Sequence, residues 1–113
     1  MSAISRPVPH ISLEQWRSLV AVVEAGGYAQ AAEALHKSQS AVSYAVQKIE
    51  SQLGLRAFEI QGRKAVLTPT GHMLYRRALA LIGEAGDLEQ AARKLSISRD
   101  TLRYRMERHG LQR

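Results

Sequence analysis

The chain has 113 residues, a net charge of +6 and no cysteine. This length suits one ordinary domain or two very small ones and excludes the deep cleft of a typical enzyme. Without cysteine, disulfide frameworks and thiolate metal sites are excluded. No apolar run reaches the roughly 18 residues of a membrane span, and the first ten residues lack the apolar core of a signal peptide. A cytoplasmic protein is expected.

The positive charge is concentrated at the C-terminal end. Residues 93–113 contain seven Lys/Arg and two Asp/Glu, whereas residues 1–92 contain nine and eight. A basic terminal segment is typical of a nucleic-acid contact. A solvated basic tail has the same composition, so charge alone leaves both interpretations open.

The first predicted helix follows an N-terminus, residues 1–11, that contains two prolines, lacks periodicity and is predicted to be disordered. Ser12 and Gln15 form a predicted capping box, and Gly26 ends the helix. Apolar side chains recur between them at helical spacing: Leu13, Trp16, Leu19, Val20 and Val23.

Two further helices and a hairpin are predicted next. One helix runs from about Tyr28 to His36, and after a turn at Lys37-Ser38 another runs from about Gln39 to Leu53, stopped by Gly54. The buried stripe of the latter consists of Val42, Val46, Ile49 and Leu53. Two β-prone pieces, 57–60 and 65–67, flank the turn sequence QGRK and predict a small hairpin. This order of elements is that of a winged helix-turn-helix.

A linker helix and a second helix-turn-helix complete the prediction. Thr68 caps a helix whose first residue is Pro69, and Gly83 and Gly86 weaken its end. Its apolar stripe consists of Leu74, Ala78, Leu81, Ile82 and Ala85. Asp87 is then a predicted N-cap. The second unit is predicted to comprise Leu88–Leu95, a turn at Ser96-Ile97, and Ser98–His109 with Gly110 at its end.

An internal repeat supports two related units. Residues 24–44 and 84–104, shifted by 60 positions, are identical at nine of 21 positions. A repeat at fixed spacing indicates one supersecondary unit used twice. The shared residues are mainly structural, while the outward ones differ, so convergence explains the repeat as well as duplication does.

Two family resemblances follow from longer motifs. The stretch AAEALHKSQSAVSYAVQKIESQLGLRAFEIQGRKAVLTPTG resembles the DNA-binding domain and linker helix of LysR-type transcriptional regulators, over about residues 11–85. GDLEQAARKLSISRDTLRYRMERHGL resembles the C-terminal helix-turn-helix of the Fis family, over about residues 86–111. Tyr44 and Tyr104 stand where these families often have arginine and lysine.

The resemblances imply a mainly α fold, namely a winged helix-turn-helix with a small β-hairpin wing, a linker helix and then a second helix-turn-helix. The predicted divisions are a disordered N-terminus (1–11), a LysR-like winged domain (12–68), a dimerisation helix (69–85) and a Fis-like unit (86–113). No ligand-sensing domain is expected.

DNA contacts are predicted in both units. The second helix of a helix-turn-helix enters the major groove, and glutamine and serine can bond base edges there. The two units are hereafter called the first and second heads. The first head is predicted to use Lys37, Ser38, Gln39, Ser40, Ser43, Tyr44, Gln47 and Lys48, with Arg63 and Lys64 of the wing. The second is predicted to use Ser98, Arg99, Thr101, Arg103, Tyr104 and Arg105. Solvated surfaces are the alternative for each set.

The predicted partners are double-stranded DNA, a second copy of the chain and RNA polymerase, with no membrane. Dimerisation is assigned to Leu74, Ala78, Leu81 and Ile82. The alternative for Leu74, Leu81 and Ile82 is an intrachain core. No cofactor, metal site or catalytic motif is expected. The leading hypothesis is a dimeric, nucleoid-associated transcriptional regulator with two DNA-binding heads per chain. The alternatives are an architectural or recombination-accessory DNA-bending protein and a protein-interaction adaptor.

Overall fold

The computed structural model describes residues 9–108, and of residues 98–108 it describes the backbone alone. The elements in chain order are α1 (Leu13–Ala25), α2 (Tyr28–Leu35), α3 (Gln39–Leu53), β1 (Phe58–Gln61), β2 (Lys64–Leu67) and α4 (Pro69–Arg108). The mainly helical fold with a two-stranded wing confirms the predicted mainly α class and the predicted winged helix-turn-helix. The predicted disordered segment, residues 1–11, lies largely outside the described residues.

Local capping sets the ends of the first three helices. The Ser12 hydroxyl accepts a hydrogen bond from the Gln15 amide, and the Gln15 side chain accepts one from the Ser12 amide, which confirms the predicted capping box. Gly54 ends α3 with φ of 65°, where glycine adopts the left-handed region without a side-chain penalty. His36 ends α2 with φ of 55° and is a non-glycine residue in that region.

The core lies between α1, α2 and α3. Leu19, Val42, Val46 and Ile49 are completely buried, as the spacing predicted. Small residues at positions 31 and 32 are buried on the inner side of α2 and allow a close approach of the neighbouring helices. Leu53 was assigned to the same stripe, but this assignment is wrong because its side chain is exposed in the last turn of α3.

The wing is an antiparallel hairpin in which Phe58 pairs with Leu67 and Gln61 pairs with Lys64. Gly62 has φ of 64° in the turn between the strands, a conformation that favours glycine. Phe58 is buried and its ring meets that of Tyr28 edge-on, with 6.1 Å between ring centroids. The inner end of the wing is therefore part of the core, and the tip is exposed.

Thr68 joins the wing to α4. Its hydroxyl donates to the Arg56 carbonyl at 2.6 Å and accepts from the Gly71 amide at 2.9 Å. The Thr68 amide donates to the Ala57 carbonyl at 3.0 Å. This residue therefore caps α4, as predicted, and also holds the end of β2 against the segment that precedes β1.

The structure differs from the sequence prediction beyond Ile82. Helix α4 is continuous from Pro69 to Arg108, whereas the sequence predicted an end near Gly86, an N-cap at Asp87 and a turn at Ser96-Ile97. Glycine inside a helix costs about 1 kcal/mol relative to alanine, which weakens a helix without ending it. The following sequence, LEQAARKL, consists of strong helix formers. The predicted second helix-turn-helix is thus a single helical stretch in the described residues.

The chain divides into two compact units, Met1–Ile82 and Gly83–Arg113. The first contains the core and the wing. In the described part of the second, Leu88 and Leu95 are 71% and 69% exposed. None of the described helices combines the length and the apolar character that a membrane span requires.

Candidate nucleic-acid interface

The outward residues of α3 form a polar, uncharged surface, hereafter the α3 outer face. It consists of Gln39, Ser40, Ser43, Tyr44 and Gln47. Because Val42, Val46 and Ile49 are completely buried, the positions on the opposite side of the helix point away from the core. All five members are exposed except Ser43, which is half-buried. This surface offers amide and hydroxyl groups that can exchange hydrogen bonds with base edges.

Ser38 has a structural role at the start of this surface. Its hydroxyl accepts a hydrogen bond from the Ala41 amide at 3.1 Å and lies 3.2 Å from the Ser40 hydroxyl. The first contact is that of an N-cap. Ser38 was predicted as a DNA contact, and the structure places its oxygen in the cap of α3.

Lys37 lies immediately before this cap and forms an ion pair with Glu14, a residue that the sequence interpretation missed. Its ammonium group donates to the Glu14 carboxylate at 2.8 Å. The Arg17 guanidinium contacts the same carboxylate at 3.2 Å. The hydrogen bond from Lys37 is the main reason that the pKa of Glu14 is lowered, with Arg17 adding to the effect. The signal available in the sequence was the i, i+3 pair of Glu14 and Arg17, which does not reveal Lys37.

The wing presents two exposed cations, Arg63 and Lys64, at and beside its turn. No carboxylate among the described side chains forms an ion pair with either of them or with Lys48 on α3. These three cations are therefore available for phosphate groups. Ile60 is exposed on β1, and its side chain adds apolar surface to the wing.

Glu50 fixes the position of the wing relative to α3. Its carboxylate accepts hydrogen bonds from the amides of Ala57 at 2.8 Å and Phe58 at 3.5 Å. The Arg56 guanidinium lies 3.7 Å from the same carboxylate. The sequence interpretation also missed this residue, since only the folded chain brings the end of α3 to the start of β1.

The predicted contacts of the second head lie at the end of α4. The backbone there is helical. The side chains concerned lie outside the described residues: Ser98, Arg99, Thr101, Arg103, Tyr104 and Arg105. In the preceding turns, Arg93 pairs with Glu89 at 3.7 Å.

The four residues assigned to dimerisation occupy different environments. Leu74 packs against the core, and Ala78 is only 3% exposed. These two are already covered within the chain, as in the intrachain alternative. Leu81 is 47% exposed and Ile82 is half-buried, so Leu81 is the most accessible of the four.

Comparisons with known proteins match two parts of the chain separately. Residues 13–72 match the family described as bacterial regulatory helix-turn-helix protein, lysR family. Residues 80–109 match the family described as bacterial regulatory protein, Fis family. Both matches agree with the resemblances seen in the sequence.

Two curated relatives illustrate the extent of the similarity. The uncharacterized HTH-type transcriptional regulator YeiE of Escherichia coli strain K12 is 41% identical over 85 residues, which cover 75% of this chain and 29% of that protein. The RuBisCO operon transcriptional regulator of Allochromatium vinosum is 38% identical over 95 residues, covering 83% of this chain and 32% of that protein. The chain therefore spans about a third of the length of these relatives.

Solved structures share the same architecture. The BenM DNA-binding domain in complex with catB site 1 DNA has a TM-score of 0.73 at 29% identity, over 75% of this chain and 96% of that chain. Full-length CbnR complexed with its target DNA has a TM-score of 0.68 at 33% identity, over 73% of this chain and 28% of that chain. Since the first family match covers more than half of the 113 residues, the chain belongs to the LysR family of bacterial regulatory helix-turn-helix proteins.

Proposed function

We propose that this protein is a sequence-specific, double-stranded DNA-binding transcriptional regulator that reads base edges with the α3 outer face. The observation that carries the proposal is the exposed, uncharged face on a helix whose opposite side is completely buried. An uncharged helix face suits base recognition, because nonspecific binding to the phosphate backbone comes from cationic side chains. The two solved structures described above are both DNA complexes, which supports the same orientation of α3.

The cations around the α3 outer face bind the DNA backbone, whereas the face itself reads the bases. Lys37, Lys48, Arg63 and Lys64 contact phosphates on either side of the groove and fix the register of α3. The two relatives described above are named as transcriptional regulators, which favours regulation over an architectural role in bending DNA.

The proposal is tested by selecting duplexes from a random library with the purified chain. A regulator enriches one motif and binds it at least about a thousandfold more tightly than bulk DNA at physiological salt. Broad binding without an enriched motif would contradict sequence recognition.

The C-terminal segment supplies a second, basic contact with DNA in this proposal. Its support is the Fis-family match over residues 80–109 and the excess of arginine after residue 92. Replacing both Arg99 and Arg103 by alanine is expected to reduce the slope of log K against log salt by about 1.8, since each phosphate contact contributes about 0.9.

The matched control replaces the same two residues by lysine. That variant keeps both charges and is expected to retain the salt slope, while losing the bidentate geometry that arginine offers to guanine. An unchanged slope in the alanine variant, measured by fluorescence anisotropy across a salt series, would remove the second head from the proposal.

The protein acts as a dimer in this proposal, and the apolar row on α4 is its seam. Leu88 and Leu95 lie seven residues apart in the second compact unit, and both are exposed. Ala92 follows Leu88 by four positions. A heptad of this kind is typical of helices that pair lengthwise, and two-fold pairing predicts roughly palindromic half-sites.

Analytical ultracentrifugation tests the seam. The wild-type chain is expected to sediment at twice its 12.5 kDa, and a variant with Leu88→Gln and Leu95→Gln as a monomer. Leu79→Gln is the control, because Leu79 is exposed on α4 but lies outside the heptad row. If the double variant keeps the wild-type mass, the apolar row is not the dimer seam. The alternative is then that Leu88 is buried within its own chain, as in a folded-back helix-turn-helix.

A further inference from the structure

A single carboxylate occupies the N-terminal side of the recognition helix. Glu14 lies in the first turn of α1, and Lys37 immediately precedes Ser38, the N-cap of α3. The Glu14 carboxylate holds the Lys37 ammonium at 2.8 Å and the Arg17 guanidinium at 3.2 Å. One anion therefore engages two cations at the end of α3 that enters the groove.

This arrangement is unfavourable for DNA binding. A phosphate that approaches Lys37 or Arg17 must compete with the carboxylate already bound to them, and it meets the negative charge of Glu14 at short range. The side chain of Glu14 is 51% exposed, so solvent and salt screen the repulsion only in part.

Stability of the fold does not explain the arrangement. Exposed ion pairs contribute little to folding, and α1 already has a complete capping box formed by Ser12 and Gln15. The ion pairs therefore influence the surface charge of this end of α3 more than they influence the core.

We propose that Glu14 limits the affinity of the winged head for DNA by competing with backbone phosphates for Lys37 and Arg17. The inference rests on the proposed function, since it concerns the same contact with DNA. In free protein the two cations are neutralised locally. On DNA the two cations exchange the carboxylate for phosphate. Separating them from Glu14 costs free energy, which reduces the net gain from their attraction to the phosphates.

Substitution of Glu14 by glutamine tests the proposal. The variant keeps the shape and polarity of the side chain and removes its charge. It is expected to bind both a selected duplex and a scrambled duplex about two- to fivefold more tightly than wild type. The slope of log K against log salt should steepen by at most about 0.9, the contribution of one unit charge.

Glu24→Gln is the matched control. Glu24 lies on the same helix about 15 Å from Glu14 along the axis, at 1.5 Å per residue, where it accepts a hydrogen bond from the Tyr75 hydroxyl at 3.3 Å. The Glu24→Gln substitution changes the net charge of the protein by the same amount as Glu14→Gln does. Equal tightening in both variants would show an effect of net charge alone and would overturn the proposal.

A double-mutant cycle assigns the effect to the two cations. In a background with Lys37→Gln and Arg17→Gln, the change at Glu14 is expected to leave DNA affinity unaltered. Unchanged or weaker binding of Glu14→Gln in the wild-type background would overturn the proposal, and weaker binding would show that Glu14 positions Lys37 for its phosphate instead. If the wild-type chain binds no duplex, the proposed function fails and this inference fails with it.

Discussion

Replacing Gly71 by alanine will lower the thermal midpoint of unfolding by roughly 10–20 °C, which corresponds to about 2–3 kcal/mol in a domain of this size. A Cβ atom on Gly71 would lie 2.1 Å from the Ala57 carbonyl oxygen and 2.9 Å from Leu67 Cδ2. The nearer neighbour is backbone, so no rotamer change relieves the overlap. The same substitution displaces the Gly71 amide from the Thr68 hydroxyl that it contacts at 2.9 Å. Circular dichroism during heating measures the effect.

Gly83→Ala is the control for this prediction. Gly83 lies in the same helix, and among the described residues no atom beyond the adjoining backbone of α4 lies within 4 Å of the Cβ position. Alanine is the better helix former by about 1 kcal/mol, so this variant is expected to melt at the same temperature as wild type or higher. A midpoint for Gly71→Ala equal to that of wild type would show that α4 can move away from the Ala57 carbonyl at little cost.

Replacing Gln39 by alanine will weaken binding to the selected DNA site by about 5- to 150-fold, corresponding to the roughly 1–3 kcal/mol of one bidentate base contact. Gln39 is exposed at the first position of α3, and N-terminal residues of the recognition helix reach base edges in this class of fold. The salt slope is expected to stay constant because no charge changes. Fluorescence anisotropy with the selected duplex and with a scrambled one measures both quantities.

Gln52→Ala separates this effect from a general loss of polar surface. Gln52 is exposed at the other end of α3, about 20 Å from Gln39 along the helix axis. The Gln52→Ala variant is expected to bind DNA with the same affinity as the wild-type chain. Equal losses in both variants, or an equal loss of affinity for the scrambled duplex, would contradict base recognition by Gln39.

Periodicity and local capping were sufficient to predict the winged domain. The buried stripe at Val42, Val46 and Ile49 and the capping box at Ser12 depend on residues within one or two turns of each other. Such signals are complete in the sequence. The hairpin was also predicted, because the turn sequence QGRK lies between two β-prone pieces.

Contacts between distant residues were not predictable in the same way. The ion pair of Glu14 with Lys37 joins residues 23 positions apart, and the Glu50 carboxylate reaches the Ala57 amide only after α3 and the wing have packed. The left-handed conformation of His36 was missed because glycine usually occupies such a position.

The continuous helix α4 shows the opposite error, in which local signals were weighted too heavily. Gly83, Gly86 and Asp87 were interpreted as a helix boundary. The glycines have helical conformations in the structure, and no residue after Gly62 in the described chain has a positive φ. Weak helix formers within a long run of strong ones reduce helix stability without ending the helix.

The attachment of the wing has a consequence for the spacing of DNA sites. The short segment before β1 is held on one side by Glu50 and on the other by Thr68, so the wing and the start of α4 keep a constant offset from α3. Two chains paired through the part of α4 that belongs to the first compact unit, residues 69–82, would then present their reading helices at a set separation and rotation. One base pair added between half-sites rotates one of them by about 35° relative to the other. Natural sites for such a pair are expected to vary in sequence far more than in the number of base pairs between their halves.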